Sequence, residues 1–471
     1  MHIPPEIILS LASIGVSAAF DHKNDPKWLD FKQKFNKNYE NSNTEIRRYE
    51  IFLEKLKRIE EHNKNGKHRY KFGINQFSDL SSEEFHKIHL PRSDPPHPLP
   101  DDLDEMPYPG EGEFECPEEF PGAEIPAEFI NSLDWRDPSK NPKNVVAVTP
   151  IKNQGACGSC YVFGAVSAME SALCLSGAKE NCEKWNGLSE QHAMNCGTHI
   201  ESQAKRDLFL HYYPQFEDTM PEAKENEPFM MFHGCSGGMT SNVVQFIYQN
   251  GFIVESDVLP YESGNGTRFK DTNFFNVGEC PYEKKDKYDF VKSVEQESYF
   301  VNKKICGTTS KRRPEIPDEV RNADADNIKQ ALYKFGPLSI GIWAPYGDSF
   351  TSYESGIWEP LPGDCDGYPT NHAMNIVGYG VDEETGWDYW IVRNSWAESW
   401  GEDGYVKIRR GLNVCNMETD VFYTDMSPVA EMLSPAPEPV VETTTAVAST
   451  QKLTMKTTSV LIAISQIFWL W

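Results

Sequence analysis

Gln154-Gly155-Ala156-Cys157-Gly158-Ser159-Cys160-Tyr161 is the stretch that decides the reading, and an apolar run of helical character, Val162 to Leu175, follows it. A thiol is a useful nucleophile only as the thiolate, and a helix N-terminus lowers its pKa. Cys160 stands where such a helix begins. A neighbouring imidazole would hold the thiolate as an ion pair, and a third group would have to orient that imidazole. The glycines let the backbone come close to a substrate, and the Cys160 N–H can face a developing oxyanion. Two plainer readings of Cys157-x-x-Cys160 compete: a redox dithiol and half of a zinc site. The first needs a small βαβ context and the second another ligand pair at short spacing, and neither is visible.

Three more segments stand downstream of Cys160: Gly234-Cys235-Ser236-Gly237-Gly238, Asn371-His372-Ala373-Met374 leading into the strand-like run Asn375 to Gly380, and Trp390-Ile391-Val392-Arg393-Asn394-Ser395-Trp396 ahead of Trp400-Gly401-Glu402-Asp403-Gly404-Tyr405. With the Cys160 stretch and in this order, they resemble the active-site, substrate-glycine, histidine and asparagine segments of the papain family of cysteine proteases. Alone, His372 would read as a core histidine and Asn394 as a turn residue. Upstream, Arg48, Ile51, Phe52, Ile59 and Asn63 resemble the inhibitory propeptide helix of the cathepsin L-like branch. Thr44 and Lys55 stand where that pattern has Glu and Asn. Gly73-x-Asn75-x-Phe77-x-Asp79 fits the second propeptide motif. The resemblance covers about residues 25–90 and 125–425.

The resemblance implies an α+β fold: the two-lobed papain fold, with a helical left lobe, an antiparallel β-barrel right lobe and a helical inhibitory prodomain. It implies a thiol-dependent endopeptidase made as a zymogen. Cys160 would be the nucleophile, His372 its base, Asn394 the acceptor that orients the imidazole, and Trp396 the shield over that hydrogen bond. Gln154 would donate to the oxyanion beside the Cys160 N–H. Gly237, Gly238, Met239, Thr240, Gly341 and Ala373 would line the substrate site, with Asp420 at the base of the P2 pocket. An acid there predicts acceptance of basic as well as apolar P2 residues, because a partly buried carboxylate seeks a cation. The implied disulfides are Cys157–Cys235, Cys196–Cys280 and Cys365–Cys415. Cys174 and Cys182 are candidates for a local fourth, and the pairing of Cys116 and Cys306 is open. No metal or organic cofactor is implied. The partners would be protein or peptide substrates and the chain's own propeptide, and a monomer is expected.

Tyr161 replaces the Trp usual after the nucleophile, an aromatic-for-aromatic exchange. The spacing departs more. His372 and Asn394 lie 212 and 234 residues after Cys160, against about 130–150 in the family. The largest insertion, 198–233, lies between Cys196 and Cys235. It is expected either to form a lip restricting long substrates on the non-primed side or to be a loose surface loop.

Composition agrees with a secreted enzyme and excludes other classes. The 471 residues carry a formal charge of −26, which argues against a nucleic-acid partner. Eleven cysteines are many for a reducing compartment. The apolar run Ile7 to Val16, followed by Ser17, Ala18 and Ala19, reads as a signal peptide over 1–19. It lacks a basic flank, and a buried N-terminal helix is the alternative. Residues 20–90 form the expected propeptide. Residues 91–124, with nine prolines and eleven acids, form an extended, protease-accessible linker. The peptidase domain spans 125–425. A stalk, 426–458, leads to a 13-residue apolar tail, 459–471, too short to span a bilayer and fitting a glycolipid-anchor signal; a merely sticky extension is the alternative. Asn265-Gly266-Thr267 is a possible glycan acceptor. The expected localisation is the secretory pathway, ending in a lysosome-like compartment, the extracellular space or the cell surface. Acid activation is expected because the acid-rich propeptide and linker lose charge as pH falls. Two rivals are a binding module that keeps the fold without turnover and an exopeptidase with one end of the cleft blocked.

Overall fold

The computed structural model describes residues 22–90, 124–197, 234–250, 253–265, 303–304, 318–365, 370–419 and 421–424. The expectations placed on 1–19, 91–123, 198–233, 426–471, Cys116, Asp420, Cys280, Cys306 and the sequon beyond Asn265 lie outside the described residues.

The N-terminal region begins with α1, Pro26–Lys34, whose first turn is fixed by the Asp25 carboxylate accepting from the Lys27 and Trp28 N–H groups and by Pro26 at its first position. The long helix α2, Ser42–Asn65, starts at the Asn41 cap and stops at Gly66, whose φ of 63° is the left-handed stop. Trp28, Phe31, Tyr49, Phe52 and Leu56 bury one face of α1 against α2 as a separate small core. A short strand, β1 (Tyr70–Phe72), and α3 (Ser82–His89) follow. α3 opens with a capping box in which the Ser81 side chain accepts from the Glu84 N–H while the Glu84 carboxylate accepts from the Ser81 N–H.

In the larger part of the chain, α4 (Cys160–Leu175) is mostly apolar and has no polar face. Such a helix must be buried, and every residue from Cys160 to Cys174 is. It packs with α5 (Glu190–Gly197) and with the helix Thr240–Asn250 in a core that includes Val162, Met169, Met194 and Ile247. Within this lobe Lys152 Nζ lies 2.5 Å from Glu170 Oε1 and 2.6 Å from Glu190 Oε1, while Thr149 donates to Glu170 Oε2 at 2.6 Å. Glu170 has no exposed surface. These pairings make its burial tolerable.

The other lobe is built on a sheet containing β2 (Leu133–Asp134), β3 (Lys303–Lys304), β4 (Leu338–Ile342), β5 (Tyr353–Trp358), β6 (His372–Val381), β7 (Asp388–Arg393), β8 (Tyr405–Arg409) and β9 (Val421–Tyr423). The strands run in the order β1-β5-β8-β7-β6-β4-β9-β3, with β2 beside β6. Among the described strands the pairing is antiparallel except between β5 and β8, where Ile357 pairs with Lys407 in parallel. β5 and β8 are brought together by the long excursion through β6 and β7, so no tight hairpin constrains their direction. β1 of the N-terminal region extends this sheet, with Tyr70 opposite Gly356 and Phe72 opposite Tyr353. The helix Asp318–Phe335 covers the sheet through Ala325, Ile328, Ala331 and Leu332.

Candidate active site

Cys160 opens α4, and its sulfur is not in a disulfide. His372 opens β6. The two elements meet closely because Gly164, one turn beyond Cys160, lies against Ala373, the neighbour of His372. A Cβ on Gly164 would come within 3.3 Å of the Ala373 Cβ. The contact is pinned from the sheet side, since Ser339 Oγ and Asn375 Nδ2 both donate to the Gly164 carbonyl, at 2.7 and 2.8 Å.

His372 Nε2 lies 2.9 Å from Asn394 Oδ1. The Ser395 N–H also donates to that oxygen, at 2.8 Å, which fixes the amide with its oxygen toward the ring. An oxygen only accepts, so Nε2 carries the proton and Nδ1 carries the lone pair. Nδ1 is buried and has no hydrogen-bond partner among the described residues. Trp396 stacks on the imidazole at 4.7 Å between ring centroids. Burial pushes the His372 pKa down to about 4, against the opposing pull of the Asn394 hydrogen bond. The ring is therefore neutral as the chain stands, and a thiolate beside it would raise that value.

Gln154 is fully buried and held at both ends of its amide. Ser395 Oγ donates to its Oε1 at 2.7 Å, which turns Nε2 the other way, where it donates to the Cys157 carbonyl at 2.9 Å and the His89 carbonyl at 3.2 Å. Gly155, beside it, has a φ of 58°, and the Gly264 backbone approaches where a Cβ would stand. Among the other expected site residues, Gly341 and Ala373 face each other across the β4–β6 pairing. Gly238 lies under the Tyr161 ring, and Gly237 adopts a φ of 107° that favours glycine. Met239 and Thr240 follow at the start of a helix. Tyr161 is buried, and its hydroxyl donates to the Gly234 carbonyl at 3.1 Å, so the exchange from Trp is used for a hydrogen bond.

Disulfides join Cys157 to Cys235, Cys174 to Cys182 and Cys365 to Cys415. Cys196 is also disulfide-bonded. The first of these ties the active-site loop to the glycine segment.

The N-terminal region fills this site. His89 Nδ1 donates to the Gly155 carbonyl at 2.7 Å, and burial pushes its pKa down to about 3. Phe77 and Phe85 meet the Trp396 ring edge-on, at 5.7 and 5.0 Å. Gln76 Nε2 donates to the Trp396 carbonyl at 2.5 Å and Asn75 Nδ2 to the Thr351 carbonyl at 2.8 Å. Farther out, Lys55 Nζ and Arg58 lie 2.6 and 2.8 Å from the two oxygens of Asp348. Lys55, a departure from the family pattern in sequence, is thus a buried ion pair across the interface. Sequence reasoning missed Asp348, His86 and His89. Only the histidine spacing on α3, two positions three apart, hinted at a shared face.

The sequence matches the family described as Papain family cysteine protease over residues 129–425 and the Cathepsin propeptide inhibitor domain (I29) over residues 28–85. Its relatives include Digestive cysteine proteinase 1 of Homarus americanus, 28% identical over 88% of this chain and 98% of that protein. The Cathepsin L-like peptidase of Aedes aegypti is 30% identical over 84% of this chain and 92% of that protein. Among solved structures, the digestive procathepsin L2 proteinase of Tenebrio molitor superposes with a TM-score of 0.53 at 25% identity, covering 84% of this chain and 98% of the other. An inhibitor domain lying across the cleft of a catalytic domain of this kind is the arrangement of a zymogen, and the chain belongs to the papain family of cysteine proteases, as a cathepsin L-like cysteine endopeptidase made in precursor form.

Proposed function

We propose that Cys160, His372, Asn394 and Gln154 carry the hydrolysis. His372 Nδ1 accepts the Cys160 thiol proton, and the thiolate attacks the scissile carbonyl carbon. The oxyanion so formed accepts from Gln154 Nε2 and from the Cys160 N–H. The imidazolium then protonates the leaving amine, the C–N bond breaks, and an acyl-enzyme thioester remains. Water, deprotonated at the same Nδ1, attacks the thioester, and the thiol is restored as the acid product leaves. Asn394 keeps the ring in the tautomer this needs. The observation that carries the reading is the fixed Asn394 amide, which leaves the lone pair of His372 on Nδ1, a nitrogen with no hydrogen-bond partner among the described residues.

The substrates are proteins and peptides, with apolar and basic residues accepted at P2 if Asp420 stands at the pocket base. The adjacency of Gly341 and Ala373 supports two of the expected walls. The chain travels the secretory pathway as a single copy, with the tail 459–471 as a glycolipid-anchor signal. The catalytic unit, 125–425, is released by cleavage in the 91–124 linker.

Iodoacetamide labelling of the activated enzyme tests the nucleophile. One carbamidomethyl group on Cys160, with activity lost in proportion, is expected; full activity with Cys160 labelled would refute it. Asp420→Ala should lower cleavage after Arg at P2 relative to Phe, and an unchanged ratio would remove the basic preference.

A further inference from the structure

The loop that carries both proposed oxyanion donors is short, and its ends must keep a fixed separation. Gln154 stands at one end and Ser159, whose carbonyl is followed by the Cys160 N–H, at the other. One side chain touches both. The Tyr261 hydroxyl lies 2.9 Å from the Gln154 carbonyl and 2.7 Å from Ser159 Oγ. A carbonyl only accepts, so the tyrosine proton goes to Gln154, and Ser159 must then donate to the tyrosine oxygen.

Two further observations bear on this bridge. Ser159 is the N-cap of α4, yet its hydroxyl makes no capping bond, although Ser is among the residues most suited to one. Its hydrogen bond is spent on Tyr261 instead. Tyr261 is also held from behind. Its ring meets Phe163 edge-on at 4.9 Å, and Gln191 Oε1 accepts from the Glu262 and Ser263 N–H groups at 2.8 and 3.0 Å. The Gly264 carbonyl closes the same floor by accepting from the Ala156 N–H at 2.9 Å.

We propose that Tyr261 is a positioning residue for the oxyanion pocket, its hydroxyl clamping the Gln154 end of the loop to the Ser159–Cys160 end. The inference rests on the reading of Gln154 and the Cys160 N–H as the oxyanion donors. Without the hydroxyl, Ser159 is free to swing back to cap α4, and the Gln154 carbonyl loses its donor. A shift of a few tenths of an ångström would then fall on the geometry that matters only once negative charge develops. Tyr261 would not affect formation of the thiolate, which depends on α4 and His372.

The test uses the full-length proenzyme, activated, with Tyr261→Phe beside Gln154→Ala. Three quantities are measured: kcat and KM on a peptide substrate, the affinity of a peptide aldehyde, whose thiohemiacetal places an oxygen in the pocket, and the rate of alkylation by iodoacetamide, which needs no oxyanion. Tyr261→Phe is expected to lower kcat and aldehyde affinity by about tenfold with KM and alkylation within about twofold. Unchanged kcat and aldehyde affinity, or an equal fall in alkylation, would overturn the proposal. Gln154→Ala should lower kcat about a hundredfold; if it does not, the donor reading itself fails, and the proposal with it. Should Tyr261→Phe not fold, Ser159→Ala removes the other end of the bridge, with the same pattern at several-fold size expected and three unchanged quantities contradicting it.

Discussion

The Gln154 side-chain amide donates to the backbone carbonyl of His89, 3.2 Å away, so the prosegment places a peptide oxygen on the group read as the oxyanion donor. The His89 ring returns the contact through the Gly155 carbonyl. On that reading inhibition and catalysis compete for one hydrogen-bond donor, and whatever weakens α3 on the catalytic domain frees it.

Acid should weaken it through histidines before carboxylates. His89 is buried neutral, and burial also lowers the pKa of His86, whose ring stacks on Tyr346 at 4.1 Å. Lys37, His372 and His86 face His89, and Lys55, itself neutralised by Asp348, faces His86. Both bound pKa values lie below the free one, so docking is fully stable above about pH 6.5 and loses stability as pH falls from there. For His89 alone the loss at pH 5 is about 2 kcal/mol. The carboxylates of Asp348, at the interface, and Glu84, within the prosegment, are also lowered despite burial, by Lys55 and Arg58 at Asp348 and by the Ser81 N–H and Arg48 at Glu84. Their contribution is lost only below the ordinary carboxylate range. The expected charge loss on acids thus acts later than the histidines. In His86→Gln/His89→Gln proenzyme the pH at which self-processing begins should drop by about one unit; an unchanged onset contradicts this.

The Lys55–Asp348 pair should act as a latch. Both side chains are below 10% exposed, and removing one partner of such a pair strands the other charge at a cost of about 3–5 kcal/mol. Asp348→Ala proenzyme should process itself at neutral pH. Arg58→Ala, removing a half-exposed side chain, should change docking by under about 1 kcal/mol. Thermal unfolding of the two variants in the Cys160→Ser background would rank them, and equal shifts would refute the latch.

Asn394→Ala should cut kcat by about ten- to a hundredfold, the worth of a hydrogen bond to a charged group. The Asn394 bond raises the His372 pKa, so its loss should also move the alkaline limb of the kcat/KM profile to lower pH. A fall in kcat with an unmoved limb would assign Asn394 a packing role only.

Glu170→Ala should destabilise the catalytic domain by about 3–5 kcal/mol, because Lys152 would stay buried with less compensation. Arg393, next to Asn394, donates to Thr149 Oγ1 at 3.1 Å, and Thr149 in turn donates to Glu170. Activity per folded molecule should therefore fall as well, which active-site titration separates from yield.

The helix after Cys160 and the order of His372 and Asn394 were legible because their chemistry requires fixed neighbours in sequence: a run of apolar residues, an aromatic shield, flanking glycines. The long prosegment helix α2 was legible through Phe52 and Ile59 for the same reason. Lys55 was not. In sequence it is one charged residue on a helix, and only Asp348, 293 positions away, makes it an interface residue. His89 and Tyr261 were hidden likewise, since their roles come from segments that meet only after folding. Gly164 was readable as a helix residue, but its need to be small arises from Ala373 on another lobe.

The most direct measurement compares wild-type and Cys160→Ser proenzyme at mildly acidic pH with a thiol reductant, following chain mass and cleavage of internally quenched peptides. Loss of about the first 120 residues with new internal cleavage in the wild type, and neither in Cys160→Ser, is the predicted result. Peptide cleavage by Cys160→Ser at the wild-type rate would contradict the assignment of the nucleophile.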